Sequence, residues 1–359
     1  MTQASRYSRQ TILPEIRPEG QEKFARASVL CVGAGGLGSP ALLYLTAAGV
    51  GRIGIIDPDV VEESNLQRQI LFTTEDLGHN KAARAKAHLS ARNPDVTLTA
   101  YPESLTADNA LNLFADYDVI VDGTDNFATK FLINDAAIKT GKPFVYGSIL
   151  GFEGQVASFG LRGGPCYRCL FPHAPRENVP SCAQAGVIGA VAGLIGTTQA
   201  MEVLKIILKH QDLPPLSGTL WRIDTRTMHN SLFPLPKDPA CPVCSQEKEL
   251  IMLENTSTTC AGPIRECTPT EAKAQTTARL LDVREDHEWA AGHITGAEHF
   301  ALSRLAEGQY PDCAKDTPLV LYCKGGFRSK QAAELLQARG YTNLTSMTGG
   351  YDLWCKTVL

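Results

Sequence analysis

The chain has little net charge of either sign: 34 lysines and arginines stand against 38 aspartates and glutamates, a formal balance of −4. Without a broad basic field, nucleic acid is not the default partner. The opening "MTQASRYSRQ" lacks the apolar run of a signal peptide and carries Arg6 and Arg9, so export is not expected. An uninterrupted membrane-length apolar span is missing too. The longest candidate, residues 187–210, contains Thr197, Thr198, Gln199, Glu202 and Lys205, which lipid accepts only at a cost; a core helix rich in small residues is expected there. Internal repeats and low-complexity tracts are also lacking.

What is present suffices for ordinary globular cores. The length of 359 residues with 43% apolar content favours two domains, one or three remaining open. Eleven cysteines, an odd number, in a chain without an export signal argue for a reducing, cytoplasmic setting and for metal or redox chemistry rather than a disulfide framework.

Residues 28–57 read strand "SVLCVG", glycine turn, helix "SPALLYLTAAGV", strand "RIGIID", a parallel βαβ unit. Further alternation follows, with "DVIVDGTDN" (118–126) as a buried strand ending in acidic residues, "FLINDAAIKTG" as a helix, and "KPFVYGSI" (142–149) as the next strand. Residues 1–245 are expected to form one doubly wound α/β domain. The polar stretch through residue 268 lacks sustained periodicity and holds Gly262 and Pro263, so 246–268 is expected as a linker. A small α/β domain is expected over 269–359, with strands "ARLLDV" and "PLVLYC" and a helix "SKQAAELLQARG" closed by Gly340.

Gly33, Gly35 and Gly38 form G-x-G-x-x-G at a strand-to-helix turn, where backbone N–H groups approach phosphate closely. Asp57 ends the next strand at the spacing of a ribose-binding carboxylate. These features alone fit a nicotinamide or flavin dehydrogenase, or a purely structural turn, as well as anything else. "DPDVVEESNLQRQ" (57–69) then adds Asn65, Arg68 and Gln69, and "GHNKAARAK" adds Lys81. A dinucleotide site does not need those cations, whereas attack of a carboxylate on the α-phosphate of ATP does, because charge builds on the triphosphate and must be met by fixed positive groups and a metal. Asp122 and Asp125 in "VDGTDN" are candidate metal ligands at the same crevice, Asp122 alternatively orienting the loop.

Cys166-x-x-Cys169 and Cys241-x-x-Cys244 each span two corners of a tetrahedral Zn²⁺ site. Structural zinc is expected over the redox reading of CxxC. Cys182 lies in the Pro-rich stretch "FPHAPRENVPSCAQAGVIG" before the core helix, where a loop could bring a thiol to an activated acyl group; a passive thiol is the other reading. Cys31, Cys260, Cys267, Cys313 and Cys355 match no motif.

"CKGGFRS" (323–329) lies between a strand and a helix. Its amides, the helix N-terminus and the charges of Lys324 and Arg328 are expected to favour a Cys323 thiolate. Cysteine phosphatases and sulfurtransferases share this layout, but the phosphatase loop places five residues between Cys and Arg. This one places four, Lys324 to Phe327, a cradle suited to a single bound sulfur.

Two resemblances follow. "RYSRQ", "GAGGLGSP", "DPDVVEESNLQRQ", "DGTDN" and the two cysteine pairs resemble the MoeB/ThiF family of ubiquitin-activating-type adenylating enzymes over 1–245. This implies ATP on the loop carrying Gly33, Gly35, Gly36 and Gly38, Asp57 on the ribose, Arg9, Asn65, Arg68 and Lys81 along the phosphates, and Mg²⁺ on Asp125. It also implies a homodimer in which Arg9 or Arg68 serves the partner's site, a zinc clamp on Cys166, Cys169, Cys241 and Cys244, and a mobile-loop thiol at Cys182. "LLDVREDHEWAAGHITGAEHF" (280–300) and "CKGGFRS" resemble the rhodanese family. That implies a persulfide on Cys323 with Arg328 in the loop, while Asp282, Arg284 and His293 stabilise the fold. Together they imply adenylation of the C-terminal Gly-Gly carboxylate of a small ubiquitin-fold sulfur carrier. Sulfur transfer to a thiocarboxylate would follow, as in molybdopterin, thiamine or tRNA-thiolation pathways, with a cysteine desulfurase or thiosulfate as sulfur donor and no membrane or direct nucleic-acid partner. An adenylating enzyme with a docking-only rhodanese domain, and a nucleotide-binding scaffold without turnover, are the alternatives.

Overall fold

The computed structural model describes residues 6–173, 186–253 and 264–358, apart from residues 307 and 338. The chain divides into two compact units, Met1–Thr256 and Ser257–Leu359.

Among the described residues the first unit begins with α1 (Ser8–Thr11) and α2 (Arg17–Arg26), before β1 (Ser28–Val32), α3 (Gly38–Ala48) and β2 (Arg52–Ile56). Then come α4 (Lys81–Arg92), β3 (Thr97–Tyr101), α5 (Ala107–Ala115), β4 (Val119–Asp122), α6 (Phe127–Thr140) and β5 (Phe144–Leu150). The remaining elements are β6 (Glu153–Phe159), α7 (Tyr167–Leu170), α8 (Gly189–Leu208), β7 (Thr219–Asp224) and β8 (His229–Pro234). The sheet order is β3-β2-β1-β4-β5-β6-β7-β8. It is parallel through β5 and antiparallel from β6 onward. β1 and β4 are buried at every position, as parallel strands covered on both faces must be, and their unbroken apolar runs follow from that. The chain leaves β1 toward β2 and β3 but returns to β4 on the other side. This reversal opens a crevice beyond the C-terminal ends of β1 and β4, where open α/β sheets bind ligands.

The apolar segment 187–210 forms the core helix α8. Its two most hydrophilic interior groups bond to neighbouring elements, although the Gln199 Oε1 has no partner among the described residues. Gln199 donates to the carbonyls of Asp122 (2.7 Å) and Val145 (3.2 Å). Glu202 accepts from the Ser158 hydroxyl (3.0 Å) and the Leu216 amide (2.6 Å) and pairs with Lys205. The helix passes so close to α3 that a Cβ on Gly196 would lie 2.3 Å from the Leu37 carbonyl oxygen.

Residues expected as linker are shorter at both ends than 246–268. Lys139 on α6 donates to the carbonyls of Glu249 (3.2 Å) and Ile251 (2.7 Å), and Ile251 is buried, so this segment belongs to the first unit. At the other end, Arg265–Cys267 already pairs in the second sheet as β9.

The second unit continues with α9 (Pro269–Ala274), β10 (Arg279–Asp282), α10 (Asp286–Ala290), β11 (Glu298–His299) and α11 (Leu302–Ala306). β12 (Leu319–Tyr322), α12 (Phe327–Gln337), β13 (Leu344–Met347) and α13 (Gly350–Thr357) complete it. Its sheet runs β11-β10-β12-β13-β9, parallel throughout. The central strand β12 is buried at every position and aims Cys323 at the N-terminus of α12. Asp282 and Arg284 are both buried and paired (2.6 Å), and Arg284 also donates to the Gly292 carbonyl (2.7 Å) and stacks on Tyr351 at 4.2 Å. These contacts tie the segment after β10 to α13, a structural role. His293 stacks on Trp289, ring centroids 3.6 Å apart.

Candidate active sites

Three glycines of the first crevice are dictated by the protein's own packing. Gly33 adopts φ +93°, and a Cβ there would sit 2.8 Å from the Gly123 carbonyl oxygen. A Cβ on Gly38 would lie 2.0 Å from the Gly33 oxygen, and one on Gly123 would lie 2.6 Å from it. Gly35 and Gly36 differ. Their nearest neighbours, the Gln69 Nε2 and the Arg68 and Ala192 side chains, are 3.5 to 3.6 Å from a built Cβ, ordinary contact. Nothing among the described residues forbids a side chain at these two positions; what they preserve is backbone approachable from outside. The helix behind them, α3, has no side-chain cap; the Ser39 amide is taken by the Gly35 carbonyl (2.9 Å) and Pro40 has none, so the amides a phosphate would meet are those of the turn at Gly35 to Gly38. A Gly38→Ala chain is therefore expected to lose about 3 kcal/mol or more from forced overpacking, seen as a lower melting temperature. Gly35→Ala should melt like the parent and lose nucleotide binding instead.

Asp57 follows β2 and is buried, its Oδ2 accepting from the Ala34 amide (2.8 Å) and Oδ1 from the Asp59 amide (2.9 Å). Burial pushes its pKa above the usual carboxylate value, opposed by the Ala34 hydrogen bond and by Lys81. Lys81, the first residue of α4, is buried with Nζ 3.0 Å from Asp59 Oδ2. Asn65 closes a short 3-10 turn, accepting from the Glu62 amide (3.4 Å) and donating to the Ser64 hydroxyl (3.2 Å). Arg68 donates to the Ser64 carbonyl (3.0 Å) and lays its stem against Gly36. Gln69 is buried beside Gly35 with its Oε1 unpartnered among the described residues.

The two aspartates at the end of β4 and in the loop after it separate. Asp122 is fully buried; its Oδ1 accepts from the Thr124 amide (3.0 Å) and hydroxyl (2.6 Å), and Oδ2 pairs with Lys130 (2.8 Å). It orients the loop. Asp125 is exposed just ahead of Asn126, which caps α6, leaving its carboxylate open. Lys130, buried and also bonded to the Gly147 carbonyl (2.9 Å), escaped sequence reasoning because its partners lie on other elements. Arg9 is not brought to this crevice. Tyr7 lies against Gly49, and Gln10 donates to the Ala48 carbonyl (3.2 Å). Both contacts are at the C-terminal end of α3, about 15 Å of helix away from Gly38. Cys31 is buried beneath the turn, 3.2 Å from the Gly33 oxygen.

The four paired cysteines do converge. Their Sγ atoms all lie within 4.8 Å of one another. Cys166–Cys241 and Cys169–Cys244 are 3.5 Å apart and Cys166–Cys169 is 3.9 Å. A tetrahedron with Zn–S near 2.3 Å has edges of about 3.8 Å, so the cluster fits a Zn²⁺ ion. Burial raises the Cys166 thiol and pushes Cys244 up to about 12; a dication at their centre reverses that penalty and favours the thiolates.

In the second unit Cys323 is 1% exposed and its Sγ accepts from the Gly326 amide at 3.1 Å. Gly326 holds φ +98° to make this turn. The loop rests on Gly349 and Gly350, where a Cβ on Gly350 would meet the Cys323 oxygen at 2.2 Å. Ser329 stands behind the sulfur, 3.7 Å from it, held by the Gly326 carbonyl and Ser346 at 2.9 Å each. Arg328 stays close enough to Cys323 to interact with it electrostatically, but both its terminal nitrogens reach Glu288, at 2.6 and 2.7 Å. α12 starts at Phe327, two residues before the expected Ser329, which puts Arg328 in a helical turn and swings its side chain to α10. Lys324 is exposed. Cys182 lies outside the described residues.

Residues 7–243 match the ThiF family and residues 268–357 a rhodanese-like domain. A sulfur carrier protein adenylyltransferase of Thermus thermophilus is 50% identical over 258 residues, covering 69% of this chain and 94% of that protein. The probable adenylyltransferase/sulfurtransferase MoeZ of Mycobacterium tuberculosis is 39% identical, covering 99% of this chain and 93% of that protein. Among solved structures, E. coli MccB superposes with a TM-score of 0.61 at 21% identity, over 68% of this chain and 76% of that one, a likeness of fold. The glycine-turn crevice lies within the ThiF match and the cysteine loop within the rhodanese-like match, and the chain belongs to the ThiF family, carrying a rhodanese-like domain in the same polypeptide.

Proposed function

We propose that the first unit uses ATP to adenylate the C-terminal Gly-Gly carboxylate of a small ubiquitin-fold sulfur carrier, and that Cys323 delivers sulfur to the product. The observation that carries this is the pairing in one chain of an uncapped helix N-terminus behind two sterically unneeded glycines with a cysteine whose sulfur accepts a loop amide. The amides around Gly35 and Gly36 bind phosphate oxygens, and Asp57 takes the ribose hydroxyls. Asn65, Arg68 and Lys81 face the triphosphate, Lys81 reaching it by exchanging Asp59 for phosphate. Asp125 holds Mg²⁺, which would neutralise the triphosphate. Arg9, docked at the far end of α3, acts on the site of the second protomer in a homodimer. The cysteine cluster holds structural zinc.

A carboxylate oxygen of the carrier attacks the α-phosphorus and pyrophosphate leaves. The outer sulfur of a Cys323 persulfide then attacks the acyl carbon and AMP leaves, giving an acyl disulfide. Attack of the Cys182 thiolate on the Cys323 sulfur releases the thiocarboxylate, and an external thiol reduces the remaining disulfide. Tethering both units raises the effective concentration of the second step.

The test incubates the chain with ATP, a sulfur donor and candidate carriers of the molybdopterin, thiamine and tRNA-thiolation types, and weighs each carrier for oxygen replaced by sulfur. Carrier-dependent exchange of labelled pyrophosphate into ATP is expected alongside. Absence of both effects with every carrier would leave a nucleotide-binding scaffold.

A further inference from the structure

We propose that Glu288 selects the sulfur donor, by neutralising Arg328 so that the Cys323 loop accepts sulfur from a thiol-borne persulfide in preference to thiosulfate. The inference rests on the reading of Cys323 as a persulfide carrier. Both donors balance: thiosulfate passes its outer sulfur to the Cys323 thiolate and leaves as sulfite, whereas a persulfide passes its outer sulfur and leaves as a thiolate. They differ in what lies beside the broken bond. Thiosulfate brings three anionic oxygens that need donors, and a free guanidinium at the loop would supply two. A persulfide brings none.

Here the charge of that guanidinium is already paired. Glu288 holds Arg328 through two parallel hydrogen bonds of 2.6 and 2.7 Å, and the pair is largely shielded, with side chains 18% and 31% exposed. Arg284, the other nearby guanidinium, is committed to Asp282 and the Gly292 carbonyl. Beside the backbone amides of the loop, what remains is the solvated ammonium of Lys324 and the ring of Phe327, 83% exposed, so neither nearby guanidinium is left unpaired to grip the sulfonate oxygens. Glu288 touches neither sulfur nor substrate, so it is a positioning residue acting through Arg328.

Glu288→Gln isolates the charge. The Glu288 carboxylate also accepts from the Glu285 amide (3.1 Å) as the third residue of a capping box, and glutamine performs that capping equally well. In the full chain, E288Q is expected to lower the KM for thiosulfate at least tenfold in thiosulfate:cyanide sulfur transfer, with loading of Cys323 by cysteine persulfide changed less than twofold. Adding Arg328→Met to E288Q should cancel the gain. A thiosulfate KM unmoved in E288Q, or a gain that survives in the double variant, overturns the proposal. If mass spectrometry finds no sulfur on Cys323 of the parent chain with either donor, the persulfide reading itself fails, and the proposal with it.

Discussion

A Cys323→Ala chain is expected to make at least ~10³-fold less thiocarboxylate than the parent, the scale set by removal of a covalent nucleophile, while exchanging labelled pyrophosphate into ATP at the parent rate. The two readouts separate because the groups proposed to bind ATP, from Gly33 to Asp125, and Cys323 lie in different units with different cores. Folding is not at issue: alanine fits where the sulfur was, and the loop remains fixed by the Tyr351 amide on the residue-323 carbonyl (2.7 Å) and by Ser329 on the Gly326 carbonyl (2.9 Å). Mass analysis of the carrier and radiolabel exchange are the measurements. An unchanged thiocarboxylate yield with a persulfide donor would reduce the rhodanese-like domain to a docking element and move sulfur delivery elsewhere.

Disruption of the cysteine cluster should have the largest effect on stability. Zinc binding in small thiolate sites is worth about 10–16 kcal/mol, comparable to or above the 5–15 kcal/mol that holds a whole domain. The ion here would join the α7 region to the stretch beyond β8, in addition to the Lys139 hydrogen bonds that hold the latter to α6. Cys166, Cys241, Val243 and Ile251 form a small core cluster of their own, and most of the C-terminal segment beyond β8 is exposed. Cys241→Ser is expected to abolish a stoichiometric zinc content of one per chain and to lower the melting temperature by roughly 10 °C or more, given 2–4 °C per kcal/mol for a unit of this size. Limited proteolysis should then cut after Pro234 first. Metal-free protein that melts with the parent would contradict the assignment.

How much of this was legible in the sequence depended on whether a feature is local. The glycine turn, the strands "SVLCV" and "VIVD", the C-capping Gly49 and Gly141 at positive φ, and the buried helix Gly189–Leu208 each follow from spacing and composition within a few residues. The two CxxC pairs were legible for the same reason, since each pair is a rigid local chelate. Other features needed partners from distant segments. Asp122 looked like a metal ligand beside Asp125 until Lys130 and Thr124 were seen to occupy it. Ser329 and Ser346, which back the Cys323 sulfur, are 17 positions apart on α12 and β13, and nothing in either stretch announces the other.

The sequence by itself determined the two chemistries, because the groups that bind phosphate and carry sulfur are set by residue type and short-range spacing. Tertiary structure alone decided which of those groups are free to act. It showed that Gly38 serves packing while Gly35 and Gly36 leave backbone open, placed Arg9 at the wrong end of α3 for its own crevice, and gave Arg328 to Glu288. The physical reason is common to all three. A charge or an amide is available to a ligand only if no neighbour in the folded chain has already neutralised or buried it, and those neighbours are assembled by the fold from residues far apart in the sequence.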